Sequence, residues 1–182
     1  SSSSAASDVY KRQALWLATP ATSRTSAEEC TYMTADDAGH WHPLPTMADE
    51  AAVQLTVVVP MYNEEKRLMA MLDDTLDWLE FQREKKQPLS RDAGLDVARA
   101  LTQPLSTYEL LLVDDGSRDG TCECAVAYAQ RRALPSGAEI RITRLHKNRG
   151  KGAAVRHGML HARGAFVLFA DADGAVSYTH LR

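Results

Sequence analysis

A-F-V-L-F-A-D-A-D-G, residues 165–174, is an apolar run that stops at two carboxylates. Such a run suits a buried parallel strand whose C-terminal tip opens into a crevice. Side chains alternate along an extended chain, so Asp171 and Asp173 leave it on the same side. Two carboxylates placed that way repel unless solvent, a proton or a cation intervenes, and oxygen ligands suit a hard cation such as Mg²⁺. The tip therefore reads as a holder for a metal–diphosphate or, more blandly, as two solvated turn residues. The chain before it decides between these.

Three earlier runs have the same build. Leu55 to Pro60, L-T-V-V-V-P, is a β-branched run stopped by a proline that cannot continue a central ladder. M-Y-N-E-E follows, then Leu68, Met71, Leu72, Leu76 and Leu79 at helical spacing, which predicts an amphipathic helix beginning near Asn63 or Glu64. Tyr108 to Val113 is a second strand ending in Asp114 and Asp115. Gly116, Ser117, Asp119 and Gly120 then make a turn before a helix over 121–132, whose Ala125, Val126 and Ala129 form a small-residue face. Ile140, Ile142 and Leu145 mark a third strand, less apolar and so expected nearer a sheet edge. After it the basic loop H-K-N-R-G-K-G, residues 146–152, opens a short helix over 153–162 that leads into the run at 165.

The order β-α-β-α-β-loop-α-β predicts an α/β fold: a Rossmann-like, mostly parallel sheet with right-handed crossovers and helices on both faces. In the doubly wound order 3-2-1-4 the first and fourth strands are neighbours at the switch point, where ligands bind. Residues 60–64, 114–117, 149–151 and 171–173 then share one crevice, which four independent solvated turns would not explain.

The bulk composition agrees with one domain. The 182 residues suffice for a core, and a net charge of -3 with dispersed Lys and Arg gives no field for nucleic acid. Cys30, Cys122 and Cys124 lack zinc-ligand spacing and suggest a reducing compartment, with Cys122 and Cys124 packing a helix. No stretch approaches the ~18 apolar residues of a spanning helix. Residues 1–13 and 176–182 differ in texture from the rest and read as sequence foreign to the domain. Residues 14–52 read as an irregular lead-in, 53–175 as the nucleotide-binding part, and 85–107 as a surface insertion with a helical turn around 96–101.

Carboxylates accept hydrogen bonds from a uracil N–H and from ribose hydroxyls, and Asp171 or Asp173 with Mg²⁺ or Mn²⁺ could neutralise a diphosphate. Arg149 and Lys151 add charge for the same phosphates, while Gly150 and Gly152 allow close backbone approach. This chemistry fits a nucleotide-diphosphate-sugar site. In sugar transfer the diphosphate is the leaving group, so a metal bridging its oxygens lowers the barrier without a proton donor.

The segments L-T-V-V-V-P-M-Y-N-E-E-K-R-L, Y-E-L-L-L-V-D-D-G-S-R-D-G-T, H-K-N-R-G-K-G-A-A-V-R-H-G and D-A-D-G-A resemble glycosyltransferase family 2, inverting enzymes of the GT-A fold. The likeness covers residues 55–175 apart from the insertion. K-N-R-G-K-G together with D-A-D-G-A most resembles the branch that moves glucose from UDP-glucose to dolichyl phosphate for protein N-glycosylation. The dolichyl-phosphate mannosyltransferases or another family 2 enzyme are the alternative. The resemblance implies that Pro60, Tyr62 and Glu64 line a uridine pocket, and that Asp115 meets the uracil while Asp114 supports the loop. It also implies that Arg149 and Lys151 face the diphosphate or its loop, Asp171 contacts ribose or metal, and Asp173 is the principal metal ligand. It further implies an acceptor half beyond the D-x-D motif, an N-terminal membrane anchor, and an endoplasmic reticulum membrane location with the catalytic domain on the cytosolic face. Neither the acceptor half nor the anchor is recognisable in these residues, so the chain alone is expected to be at most a weak nucleotide binder or an inactive nucleotide-binding fragment.

Other readings fit less well. D-x-D-G after an apolar strand also resembles haloacid-dehalogenase-type phosphatases, with Asp171 as nucleophile and Asp173 as acid/base. That motif normally follows the first strand, and Ala175 stands where Thr or Val is usual. A P-loop fails because Gly152, not Ser or Thr, follows Lys151. His40 with His42, and His157 with His161, lack companion ligands and read as surface or core histidines. Trp16, Trp41 and Trp78 form no stacking array.

Overall fold

A computed structural model describes residues 26–35, 40–46, 48–85 and 104–170. A 3-10 turn over Glu28–Cys30 leads into β1 (Thr31–Thr34) and β2 (His42–Pro43). There follow β3 (Val53–Met61), α1 (Leu68–Glu84), β4 (Tyr108–Asp114), α2 (Thr121–Arg131), β5 (Ala138–Arg144), α3 (Lys151–Leu160) and β6 (Gly164–Phe169). The sheet order is β2-β1-β5-β4-β3-β6. The four strands β5-β4-β3-β6 are parallel neighbours, which is the predicted order 3-2-1-4. The α/β class and its mostly parallel sheet are therefore as expected.

Alternation divides the core. Leu55, Val57, Val59 and Met61 of β3, Leu110 and Leu112 of β4, and Ile140 and Ile142 of β5 face α1 and α2. The predicted α1 stripe, Leu68, Met71, Leu72, Leu76 and Leu79, is buried against them, each leucine contributing on the order of 2 kcal/mol. On the opposite face Val58, Leu111, Val113 and Leu145 pack under Ala154 of α3. Gly158 allows this closeness, since a Cβ there would lie 2.3 Å from Val58 Cγ1. Cys122 is buried on α2, as a packing residue should be.

Four local expectations need correction. The first strand does not stop at Pro60, because Pro60 and Met61 continue the pairing with Val113 and Asp114. Met61 O accepts from Asp115 N and Val58 O from Ala170 N, so alternate residues address β4 and β6. Pro60 faces the β6 side, beyond Val58↔Phe169, the last β3–β6 rung among the described residues, so its missing N–H interrupts none of the described rungs. The helix begins at Leu68 rather than near Asn63, because Asn63 has φ 53°, a left-handed conformation that a helix cannot include.

The third strand is not at the edge. Met33 and Thr34 of β1 pair antiparallel with Ile142 and Arg141 of β5. The lead-in is correspondingly not wholly irregular: it adds β1 and β2, with Leu44 N bonded to Cys30 O at 2.8 Å. Strands of four and two residues are too short to leave a periodic trace. Of the expected insertion, Lys85 and 104–107 are described. Gln54 Nε2 donates to Pro104 O (3.2 Å) and Gln54 Oε1 accepts from Ser106 N, which ties the returning end of the insertion to the start of β3.

Candidate functional site

Three loops meet at the carboxyl ends of β3, β4 and β5. Asn63, turned left-handed after β3, uses both its backbone and its side chain to reach the loop after β4. Its N–H donates to Ser117 Oγ (3.0 Å), and its Oδ1 accepts from Arg118 N (2.9 Å). Glu64 N–H donates to Thr121 Oγ1 (2.8 Å) at the start of α2, and Gly120 N–H donates to Glu65 Oε2 (3.2 Å). The M-Y-N-E-E and D-D-G-S stretches are thus one hydrogen-bonded unit.

The expected site residues divide into framework and rim. Pro60 is buried within β3, whereas Tyr62 stands 37% exposed at its tip. The half-buried Glu64 accepts from Arg67 Nε (2.9 Å) and Nη2 (3.0 Å). Asp114 is fully buried: Oδ1 accepts from Ser117 N (2.9 Å) and Oδ2 pairs with Arg144 Nε (3.1 Å). Asp115 Oδ1 accepts from Arg149 N at 2.8 Å, so the carboxylate expected to meet a base also anchors the basic loop. Burial raises the Asp115 carboxyl above its usual range, with the Asp114 charge adding to it and the Arg149 and Gly150 N–H groups opposing it.

Gly116 closes the contact between the second and third loops at φ 68°. A Cβ at this position would come within 2.8 Å of the Lys147 carbonyl carbon and 2.9 Å of its Cα. Gly150, at φ 87°, turns the basic loop into α3, whose first residue is the exposed Lys151. The Arg149 guanidinium, expected at a diphosphate or its loop, lies on Glu29, with Nη2 2.8 Å from both carboxylate oxygens. Glu29 belongs to the lead-in and escaped the sequence reading. Its one trace there is the S-x-x-E spacing of Ser26 and Glu29, which marks the start of a helical turn and says nothing of Arg149. Ser117 was legible as a turn residue, Asn63 was expected to start a helix and Thr121 to open the next one; their bonds between loops were not legible.

Asp171 and Asp173 lie outside the described residues. β6 brings the chain as far as Ala170, beside β3, and thus to the same end of the sheet. Among the described residues no three His, Cys, Asp or Glu side chains are grouped to hold a metal ion. These described residues do not by themselves fit a divalent cation.

The His157 and His161 rings meet at a tilt of 56° with centroids 4.7 Å apart. His157 Nε2 is 3.4 Å from Thr143 Oγ1, and His161 Nδ1 is 2.6 Å from Pro45 O. Burial, reinforced by the His161 charge, pushes His157 down to about 4. The unfolded chain then binds a proton that the folded chain refuses, so stability falls as pH drops from about 6.5 toward 4. Between pH 7 and pH 5 the expected loss is about 2 kcal/mol by urea unfolding, and His157→Gln should flatten that slope. An unchanged slope in the variant would remove His157 as its source.

Residues 96–182 match the family model described as Glycosyl transferase family 2. A dolichyl-phosphate beta-glucosyltransferase of Drosophila melanogaster is 44% identical over 135 residues, covering 74% of this chain and 35% of the relative. Residues 96–182 are thus similar to glycosyl transferase family 2. The Homo sapiens dolichyl-phosphate beta-glucosyltransferase is 41% identical over 140 residues (77% of this chain, 37% of the relative). That of Saccharomyces cerevisiae is 35% identical over 157 residues (84% and 41%). The chain spans about a third of the length of the curated relatives it matches. Among solved structures, the mannosyltransferase PcManGT from Pyrobaculum calidifontis, in complex with GDP-Man and Mn²⁺, aligns with TM-score 0.47 at 22% identity. That alignment covers 91% of this chain and 34% of PcManGT. The strand leading to D-x-D-G is the fourth parallel strand in chain order, not the first, which together with the family 2 match over residues 96–182 counts against the phosphatase reading.

Proposed function

We propose that this chain forms the nucleotide-sugar-binding part of an inverting glycosyltransferase that moves glucose from UDP-glucose to dolichyl phosphate. The relatives' names supply the reaction. The observation that carries it to these residues is the locking of three strand-end loops through Asn63–Ser117, Gly116–Lys147 and Asp115–Arg149. Such a joined floor holds a ligand more rigidly than separate loops would.

In this reading Pro60, Tyr62, Glu64 and Asp115 bound the uridine, and Asp114 keeps the 115–117 turn in place. Arg149 and Lys151 supply positive charge toward the diphosphate, which stabilises the departing nucleotide as negative charge builds on it. Asp171 and Asp173 are the residues that would hold Mg²⁺ or Mn²⁺, whose chemistry is to screen the diphosphate. The acceptor, a phosphate monoester with a second pKa of about 6, is already anionic near neutrality and needs no strong base. Dolichyl phosphate is a membrane lipid, so the site would work at a membrane surface, which the family resemblance suggests is the cytosolic face of the endoplasmic reticulum. No helix among the described residues is long and apolar enough to cross a membrane.

The test is calorimetric titration of UDP-glucose, with and without Mn²⁺, into the protein and into Asp173→Ala, with GDP-mannose as the competing donor. The expected result is Mn²⁺-dependent binding of UDP-glucose that falls by about a hundredfold or more in the variant. Preference for GDP-mannose would move the assignment to mannosyl transfer, and folded protein that bound neither donor would end it.

A further inference from the structure

Glu29 is a fully buried carboxylate that the donor-site reading leaves without a task. Its Oε1 accepts from His146 N (2.8 Å) and Arg149 Nη2 (2.8 Å), and its Oε2 from Arg149 Nη2 (2.8 Å) and Ser26 N (2.9 Å). We infer that Glu29 is a positioning residue of the donor site, presenting the basic loop and the Arg149 guanidinium to a nucleoside diphosphate. The inference rests on the reading of Arg149 as a phosphate-facing group.

The loop is gripped from two sides. Asp115 holds it by the Arg149 N–H, while Glu29 holds its first residue by the His146 N–H and the Arg149 side chain by Nη2. Both Glu29 oxygens take the same nitrogen rather than the two-nitrogen fork, which orients the guanidinium and leaves Nη1 outside the pair. Arg149 Nε is buried with no hydrogen-bond partner among the described residues, so the pair does not by itself satisfy the group.

Glu29 is in turn held firmly. Ser26 and Glu29 exchange reciprocal bonds, with Glu29 N donating to Ser26 Oγ at 3.3 Å, in the manner of a capping box. Thr143 Oγ1 donates to Glu29 O at 3.5 Å, and β1 pins the following residues to β5. Burial alone would raise the Glu29 carboxyl, but the His146 and Ser26 N–H groups and the Arg149 guanidinium hold it below the usual range. It is therefore anionic wherever the protein works. A buried anion costs desolvation that an apolar contact would avoid, so its use here points to the orientation of Arg149 rather than to stability.

UDP, UDP-glucose and uridine titrated into wild type and Glu29→Gln test this, because only the first two carry the diphosphate. Glu29→Gln should weaken UDP and UDP-glucose about tenfold and change uridine by less than about twofold. In an Arg149→Ala background the same substitution should cost no more than about twofold further, since the group it orients is gone. Equal losses on all three ligands, or a folded Glu29→Gln with wild-type UDP affinity, would overturn the inference. Should Glu29→Gln melt below the assay temperature, Ser26→Ala decides: about threefold loss on UDP with uridine unchanged supports the role, and no loss refutes it. Wild type binding uridine but not UDP would instead overturn the phosphate-facing reading of Arg149, and the role of Glu29 with it.

Discussion

Glu109→Ala is expected to lower folding stability by about 3–5 kcal/mol, because it removes the carboxylate shared by the buried Arg141 and the partly buried Arg163. Glu109 is fully buried in the middle of the sheet. Its Oε2 faces Arg141 Nη1 (3.1 Å) and Arg163 Nε (2.8 Å), and its Oε1 accepts from Thr56 Oγ1 (2.7 Å) and Arg163 N (2.7 Å). Glu139 also pairs with Arg163. Arg141, fully buried, has Nε and Nη2 without hydrogen-bond partners among the described residues, and its other support is the Tyr32 ring 3.5 Å from Cζ. Without Glu109 its charge is stranded. Burial alone would raise the Glu109 carboxyl, but the Arg163 N–H, the Thr56 hydroxyl and the two guanidinium groups hold it below its usual range. Its contribution is therefore present at neutral pH and is lost as acid titrates the folded carboxylate. Urea unfolding at pH 7 is the measurement. For a chain of this size the melting midpoint should drop by roughly 10 °C or more. A change below about 1 kcal/mol would mean that the network is solvated or can rearrange.

Gly116→Ala should disable nucleotide binding while leaving the sheet intact. The residue is held at φ 68°, where an L side chain costs about 1–2 kcal/mol, and its new Cβ would press on the Lys147 backbone at 2.8–2.9 Å. A backbone segment cannot rotate away as a side chain can. The loop must move instead, and with it the Asp115–Arg149 bond on which the joined floor depends. The expected outcome is a loss of at least about thirtyfold in UDP-glucose affinity with an unfolding transition that remains cooperative. Binding within threefold of wild type would show that the contact between these loops is dispensable.

The order of the four parallel strands was legible because β3, β4 and β6 are apolar runs, a pattern that burial on both faces imposes, and β5 keeps the alternating Ile140 and Ile142 ahead of the basic loop. The α1 stripe was legible for the same reason at helical spacing. What escaped depends on partners far along the chain. Arg141 and Thr143 make β5 look like an edge strand, yet they are buried because Glu109, Tyr32 and His157 meet them from other elements. β1 is too short to announce itself, and Glu29 becomes intelligible only beside Arg149. At the site, Gly116, Ser117, Asp119 and Gly120 were legible as the turn before α2, whereas the contact of Arg149, expected at a diphosphate or its loop, with Glu29 was not. Asp171 and Asp173, on which the sequence reading turned, lie outside the described residues.

The placement of β3 has a consequence for how the chain is made. β3 is completed on its flanks by β4, beginning at Tyr108, and by β6, ending at Phe169. During synthesis the apolar strand Val53–Met61 therefore leaves the ribosome long before either neighbour exists, with α1 as its earliest cover. Pairings of such long sequence separation close slowly, and an unpaired apolar strand is the species most prone to associate with other chains. Nascent chains halted shortly after α1 should thus depend on holding chaperones, and that dependence should fade only once β6 has emerged.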